Sequence, residues 1–190
     1  MNRIATSSGR LVPLDAQAAG QIDIEDIAWS LARICRFNGH IKRDIALYSV
    51  AQHSCLVSDL LAKTSERLAV LGLLHDAHEA YLGDIVTPVK DHLNVLDNGN
   101  FPVSRFASLI QHRIERALNI APCEDSSWLV ELHQADLCLL ATEARDVMPA
   151  MPDDYWGNLP PPLDRKIVPW GYAEAARGFL RRAQQLGIMP

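Results

Sequence analysis

Apolar residues recur every three or four positions along most of this chain, the spacing that buries one face of an α-helix. The first such stripe consists of Ile24, Ile27, Ala28, Leu31 and Ile34. Asp23 precedes the stripe and is suited to capping a helix N-terminus. The pattern therefore predicts a helix over residues 25–37, which the Asn38-Gly39 pair ends.

The same spacing predicts five further helices, over residues 49–61, 65–81, 103–118, 126–146 and 172–186. Residues 86–90 are predicted to continue the third helix across a proline, and the acidic, Asn-rich residues 91–100 to form a loop. Residues 148–169 contain six prolines and cannot form one helix. The two-residue alternation of strands is nearly absent, apart from a hairpin-like start over 1–20 with a short strand at 10–14. The chain is therefore predicted to be an all-α bundle of five to seven helices.

Composition narrows the class of protein without identifying it. A length of 190 residues suits one domain with a substantial core, and the apolar content of 48% is ordinary. The net charge of −5 argues against binding a nucleic-acid polymer but not against binding a single nucleotide. Without a signal-like start or a long apolar run, we expect a cytoplasmic protein that does not enter a membrane. The four cysteines lack CxxC spacing and are predicted to be reduced thiols.

The segment from Leu71 to Asp84 contains the densest group of candidate functional side chains. His75 and Glu79 are four residues apart, so on a continuous helix they lie on one face, and Asp76 lies at the edge of that face. An imidazole beside carboxylates suits zinc, manganese, iron or cobalt better than calcium. A metal shell needs more ligands than this segment offers, so the remainder must come from elsewhere in the chain.

Two residues outside this segment are candidate ligands. His53 lies in a helical, partly buried context, where a lone histidine is more often a hydrogen-bonded core residue. Asp136 begins a strongly apolar helical run, where a buried carboxylate needs a partner. A salt bridge would satisfy Asp136 as well as a metal ion would, and the residues alone leave both readings open.

Taken in order, these residues resemble the H…HD…D pattern of the HD-domain metal-dependent phosphohydrolases. The resemblance is closer to the small bacterial and phage HD-domain 5′-deoxynucleotidases, some of which hydrolyse dATP as triphosphohydrolases. It spans about residues 22–145 of what we take to be a single domain. The matching segments are Val50-Ala51-Gln52-His53-Ser54, His75-Asp76-Ala77-His78-Glu79-Ala80-Tyr81-Leu82-Gly83-Asp84, Thr87-Pro88-Val89-Lys90 and Gln134-Ala135-Asp136.

The resemblance implies a helical HD domain that holds one divalent ion, whether Mn, Co, Zn, Fe or Mg. The implied ligands are His53, His75, Asp76 and Asp136. Glu79 would then position or deprotonate the attacking water, and Asp84 would assist the leaving sugar oxygen or order the water around it. The implied substrate is a (deoxy)nucleoside 5′-monophosphate. A dATP-type triphosphohydrolase and a non-catalytic nucleotide sensor are the alternatives, and a homodimer is left open.

The chain departs from the family where the nucleotidases carry an Arg-Trp pair. Here Arg36-Phe37 is followed by Gly39-His40, as in the phage-type relatives. The resemblance implies substrate contacts from Arg36, Phe37, His40 and Lys90, while base preference stays open.

Two other metal-enzyme classes can be weighed on the sequence alone. A zincin is excluded because Leu82 stands where the second histidine of HExxH is needed. A diiron HD oxygenase needs further histidine ligands. The spare candidates, which lack a matching context, are His78, His92, His112 and His133.

Overall fold

The computed structural model describes residues 2–14, 21–123, 125–152 and 154–188. The strands and helices in this part of the chain are β1 Arg3–Ala5, β2 Leu11–Pro13, α1 Ile24–Leu31, α2 Val50–Leu61, α3 Glu66–Leu74, α4 Glu79–Leu82, α5 Thr87–Leu96, α6 Pro102–Ala117, α7 Ser126–Asp146 and α8 Tyr172–Gln185. A 3-10 turn spans Arg36–Gly39. Every helix except the four-residue α4 has at least eight residues. The predicted all-α bundle is confirmed, and none of the described helices has the length and hydropathy to cross a membrane.

The predicted N-terminal hairpin is also confirmed. β1 pairs antiparallel with β2, with Ile4 opposite Val12. The hairpin turn is tied to α1 by Asp26, whose carboxylate accepts hydrogen bonds from the Ser7 hydroxyl at 2.9 Å and the Ser8 hydroxyl at 2.6 Å. The rest of the predicted irregular start, at residues 1 and 15–20, lies outside the described residues.

Helix α2 lies at the centre of the packing because it contributes to two buried clusters. The larger cluster joins the hairpin, α1, α2, α3, α6 and α8, with Ile27, Val50, Leu73 and Phe179 among its fully buried members. The smaller one joins α2 and α3 to α7. Gly72 lets α3 approach α2 closely, since a Cβ there would lie 3.2 Å from the Ser58 Cα. The polar residues Gln52, His53, Ser54 and Ser58 of α2 are therefore buried.

Helix α1 ends at Leu31 rather than at residue 37, which corrects the predicted boundary. The chain then pairs with the segment before α2. The Arg36 amide donates to the Tyr48 carbonyl at 2.9 Å, and the Val50 amide donates to the Ile34 carbonyl at 3.0 Å. This pairing competes with helical continuation and carries the 36–39 turn towards α7.

The predicted helix over 65–81 is broken, so His75 and Glu79 do not lie on one continuous helix. Helix α3 ends at Leu74, and α4 begins at Glu79. Between them the Ala77 amide bonds to the Leu74 carbonyl and the Glu79 amide to the Asp76 carbonyl, both at 2.9 Å. These bonds span three residues instead of four and wind the chain more tightly than an α-helix.

The predicted loop at 91–100 is wrong over most of its length. Residues 91–96 belong to α5, which begins at Thr87. Pro88 lies in the first turn of α5, where a proline costs no hydrogen bond, so it starts a helix rather than interrupting one. Helices α6, α7 and α8 match their predicted spans to within one residue.

The described residues of the proline-rich segment form no helix, as expected, and they run across α2 and α7. Its backbone bonds to helix side chains instead of to a strand. The Leu163 amide donates to the Thr142 hydroxyl at 2.9 Å, and the Trp170 amide donates to the Gln52 side-chain oxygen at 2.8 Å. The segment is thereby fastened to the two helices that carry His53 and Asp136.

Candidate metal centre

Four predicted ligands converge at one point between α2, the end of α3 and α7. The His53 Nε2 atom lies 3.3 Å from the His75 Nε2 atom and 3.2 Å from an Asp136 oxygen. One Asp76 oxygen lies 3.2 Å from the His75 Nε2 atom and 3.7 Å from the His53 Nε2 atom. Residues separated by up to 83 positions in the sequence thus present two ring nitrogens and two carboxylates to a common point.

The Nδ1 atoms of both histidines, which point away from the cluster, already form hydrogen bonds. The His53 Nδ1 atom lies 2.7 Å from the Glu143 carboxylate, and the His75 Nδ1 atom lies 2.8 Å from the Gly72 carbonyl. Both partners are acceptors, so each Nδ1 carries the proton. In the neutral rings the Nε2 lone pairs then face each other and the carboxylates. A proton or a metal cation between the groups would offset the negative charge there, and the donor set fits a divalent transition metal.

Glu143 is a site residue that sequence reasoning missed. Its buried carboxylate accepts from the Tyr48 hydroxyl at 2.8 Å and from Arg36 at 3.2 Å, in addition to its contact with His53. Glu143 follows Asp136 by seven residues, which is two turns of α7, so both point to the same side. That spacing was the signal available in the sequence.

The pKa values in the ion-free site show how strongly its groups interact. Burial alone would lower the pKa of His75, but the Asp76 carboxylate raises it to about 9. Burial would raise the pKa of Asp136, but His53 lowers it to about 2. Burial, Asp76 and Asp84 together raise the pKa of Glu79 to about 9. The site therefore holds protons on some of its groups until another cation replaces them.

The remaining predicted catalytic residues surround these ligands. Glu79 is buried, with 3% of its surface exposed, and one of its oxygens lies within 4.8 Å of a ligand atom of Asp76. Asp84 is half-buried and raises the pKa of both Arg36 and Glu79. The positive charge of Lys90 lowers the pKa of Glu79.

Arg36 reaches the centre from the short turn after α1. Its guanidinium bonds to Glu143 and lies 3.7 Å from Asp76, while its buried Nε atom has no hydrogen-bond partner among the described residues. Burial would lower the pKa of Arg36, but the Glu143 and Asp76 carboxylates raise it, so the group stays charged. An N–H donor is thus left available beside the ligand cluster.

Phe37 lies next to Arg36 and belongs to an aromatic group. The Arg36 guanidinium carbon lies 5.2 Å from the centre of the Phe37 ring. Trp156, on the proline-rich segment, packs edge-on against Phe37 with ring centres 6.1 Å apart. Trp156 was not predicted to be near the site because 119 residues separate it from Phe37. His40, in contrast, is exposed at the end of the turn.

Two other basic residues near the turn, Lys42 and Arg33, contact other parts of the fold. The Lys42 ammonium donates to the Arg145 and Asp146 carbonyls at the end of α7. Arg33 stacks on the rings of Trp29 and Tyr172. Neither side chain contributes its charge directly to the ligand cluster.

Comparison with known proteins places the chain in a family. It is 37% identical to the uncharacterized protein YfdR of Escherichia coli over 147 residues, which cover 77% of this chain and 73% of YfdR. The chain belongs to the YfdR family. An uncharacterized protein of Rhodobacter capsulatus is 48% identical over 87 residues, an alignment that covers 44% of each chain. A scan against models of protein families gave no match. Neither relative's name states an activity, so an argument about function rests on the site.

Proposed function

We propose that the protein is an HD-domain metal-dependent phosphohydrolase that releases phosphate from nucleotides, with (deoxy)nucleoside 5′-monophosphates as its main substrates. The observation that carries the proposal is the set of His53, His75, Asp76 and Asp136 around one point, with both outer ring nitrogens already bonded. Two histidines, each held by its outer nitrogen, and two carboxylates offer four donor atoms that one divalent ion could share.

A divalent ion held by these four residues would lower the pKa of water and offset negative charge on phosphorus. Glu79 is next to the ligands and is the residue to accept the proton from the attacking water. Arg36 offers its free Nε–H to a phosphate oxygen and is kept in place by Glu143. Lys90 adds a second positive charge to the phosphate side, and Asp84 assists the leaving sugar oxygen.

The distribution of positive charge supports a monophosphate substrate. A triphosphate brings about four negative charges. Among the described residues, the cations that act on this site are Arg36, 3.7 Å from Asp76, and Lys90, which lowers the pKa of Glu79. Lys42 and Arg33 are bound to other parts of the fold. The rings of Phe37 and Trp156 lie beside Arg36 and offer an apolar surface to a sugar or base.

The proposal is tested by stripping the protein with a chelator and reloading it with Mn, Co, Zn, Fe or Mg. Each form is assayed with dNMPs, NMPs and dNTPs. Release of inorganic phosphate from monophosphates is expected, while release of triphosphate from dATP would reassign the substrate. Tight nucleotide binding without turnover under every metal would make the protein a sensor.

A metal-content measurement on a variant checks the ligand assignment itself. Asp136→Ala should lose most of the bound ion and the activity, because one carboxylate is removed from the set. Glu131→Ala, on the same helix, is the matched control and should retain both. Unchanged metal content in Asp136→Ala would remove Asp136 from the ligand set.

A further inference from the structure

A second group of donor atoms lies directly beside the first. Asp76, His78 and Glu79 each present one ligand atom, and these atoms lie within 4.8 Å of one another. We propose that a second divalent cation of the manganese class binds between these three residues and shares Asp76 with the first ion. The inference rests on the proposed metal centre, since the shared carboxylate belongs to both ions.

The buried, unpaired carboxylate oxygen of Glu79 indicates that a cation binds beside it. Its side chain is 3% exposed, and its Oε2 atom is buried with no hydrogen-bond partner among the described residues. A buried carboxylate oxygen without a donor is unfavourable, and native proteins rarely leave one in that state. A cation beside Asp76 and His78 would satisfy it.

The orientation of His78 is set by Gln111 on α6. The Gln111 amide group donates to the Leu74 carbonyl at 2.9 Å and to Glu115 at 3.1 Å, which turns its oxygen towards His78. That oxygen lies 3.4 Å from the His78 Nδ1 atom and 3.3 Å from the His78 backbone amide. An acceptor at Nδ1 places the ring proton there and leaves a lone pair on Nε2. Metal-binding histidines are commonly held by such an outer hydrogen bond.

Asp76 has the geometry of a bridging ligand. Its ion pairs with His53, His75 and Arg36 among the described residues are all made by Oδ2. The other carboxylate oxygen can then serve a neighbouring ion. One carboxylate between two cations is a common arrangement in two-metal hydrolytic sites.

The break between α3 and α4 is what brings the second group together. In a regular α-helix, residues two apart point about 200° away from each other, so Asp76 and His78 would not share a ligand. The tighter winding of residues 74–79, with bonds that span three residues, turns the three side chains to one point. The same break therefore supplies His75 and Asp76 to the first ion and His78 and Glu79 to the second.

The donor chemistry favours an ion that accepts both oxygen and nitrogen. Two carboxylates and one imidazole suit Mn, Fe or Co better than calcium, which prefers oxygen alone. A second cation would also add positive charge next to Arg36, on the side where a phosphate group is expected to bind.

Binding stoichiometry tests this inference without relying on activity. Wild-type protein, His78→Ala and the control His133→Ala are stripped with a chelator and titrated with Mn²⁺ by calorimetry. His133 is exposed on α7, outside both groups. We expect two equivalents in the wild type and in His133→Ala, and one in His78→Ala. Electron paramagnetic resonance should show magnetically coupled manganese in the wild type and isolated manganese in His78→Ala.

One equivalent in the wild type at saturating Mn²⁺, or two retained in His78→Ala, would overturn the second site and leave the first intact. A wild type that binds no Mn²⁺ would contradict the proposed metal centre as well.

Gln111→Met tests the second site without altering His78 itself, in case His78→Ala fails to fold. It should weaken the second equivalent by roughly 10- to 100-fold and the first by less, because Gln111 also bonds to the Leu74 carbonyl just before His75. Equal weakening of both equivalents would contradict separate sites.

Discussion

The His53 Nδ1 atom lies 2.7 Å from the Glu143 carboxylate, and both side chains are fully buried. This contact joins α2 to α7 and fixes which nitrogen of His53 faces the ligand cluster. Tyr48 and Arg36 donate to the same carboxylate. Glu143 thus links the orientation of His53, a proposed metal ligand, to the position of Arg36, which is proposed to bind phosphate.

The first prediction concerns Glu143→Gln. The amide keeps the shape of the carboxylate but removes the charge that holds His53 in one tautomer. We expect metal affinity to fall roughly 10- to 100-fold, as when outer partners of metal ligands are removed. Competition with a chelator of known affinity measures the change.

Tyr48→Phe is the control for this experiment. It removes one hydrogen bond to Glu143 without altering the charge, so its metal affinity should stay within a few-fold of the wild type. If Glu143→Gln bound metal as tightly as Tyr48→Phe, the contact with His53 would have no bearing on the ion.

The second prediction concerns Glu79→Gln. We expect turnover to fall by roughly 10²- to 10⁴-fold, the usual contribution of general acid–base assistance. The ion held by His53, His75 and the two aspartates should remain bound, because Glu79 is not one of its four ligands, whereas the second proposed cation should bind more weakly. Steady-state kinetics combined with metal analysis separates the two effects. A rate within threefold of the wild type would assign Glu79 a structural role.

The third prediction concerns Trp156→Ala. Trp156 packs against Phe37 at the edge of the site, so its loss should remove surface that a base or sugar contacts. Stacking on an aromatic side chain is worth roughly 1–3 kcal/mol, which corresponds to a rise in KM of about 5- to 150-fold. We expect kcat to change little and Trp156→Phe to recover most of the loss. An unchanged KM in Trp156→Ala would place the substrate elsewhere.

The fourth prediction concerns stability and pH. Burial alone would raise the pKa of Asp26, but hydrogen bonds from the Ser8 and Ser7 hydroxyls lower it to about 2. A lowered pKa stabilises the fold above the unfolded value of about 4, and the benefit is lost as pH falls towards 2. Asp26→Asn should therefore cost roughly 1–2 kcal/mol at pH 7, allowing for screening by solvent near the exposed Arg10.

Urea unfolding at several pH values measures this effect. The difference between Asp26→Asn and the wild type should shrink between about pH 4 and pH 2. Asp91→Asn, an exposed position on α5, serves as the control and should show no such difference. A gap that stayed constant with pH would mean that the carboxylate charge does not hold the hairpin to α1.

Much of the architecture could be predicted because it follows from local periodicity. Helices α7 and α8 have apolar stripes and clear ends, and their spans match within one residue. Of the four predicted metal ligands, His53 and Asp136 lie on helices that were located correctly. Their convergence required only that two apolar faces pack against the same core.

The features that could not be predicted depend on contacts between residues far apart in the sequence. Residues 34–36 leave the helix because they pair with residues 48–50. The turn after α3 is stabilised by Gln111, which accepts from the His78 amide across 33 positions. No local pattern records either contact. The contact of Trp156 with Phe37 could not be predicted either, because side chains of α2 and α7 determine where the proline-rich segment lies.

The position of α8 affects how the chain folds during its synthesis. Its buried face, which includes Ala176 and Phe179, lies in the same cluster as Ile27 and Leu31 of α1. A ribosome adding roughly 5–20 residues per second needs roughly 8–30 seconds to travel from the end of α1 to the end of α8. Throughout that interval the part of the α1 apolar face that α8 covers in the folded protein stays exposed to solvent.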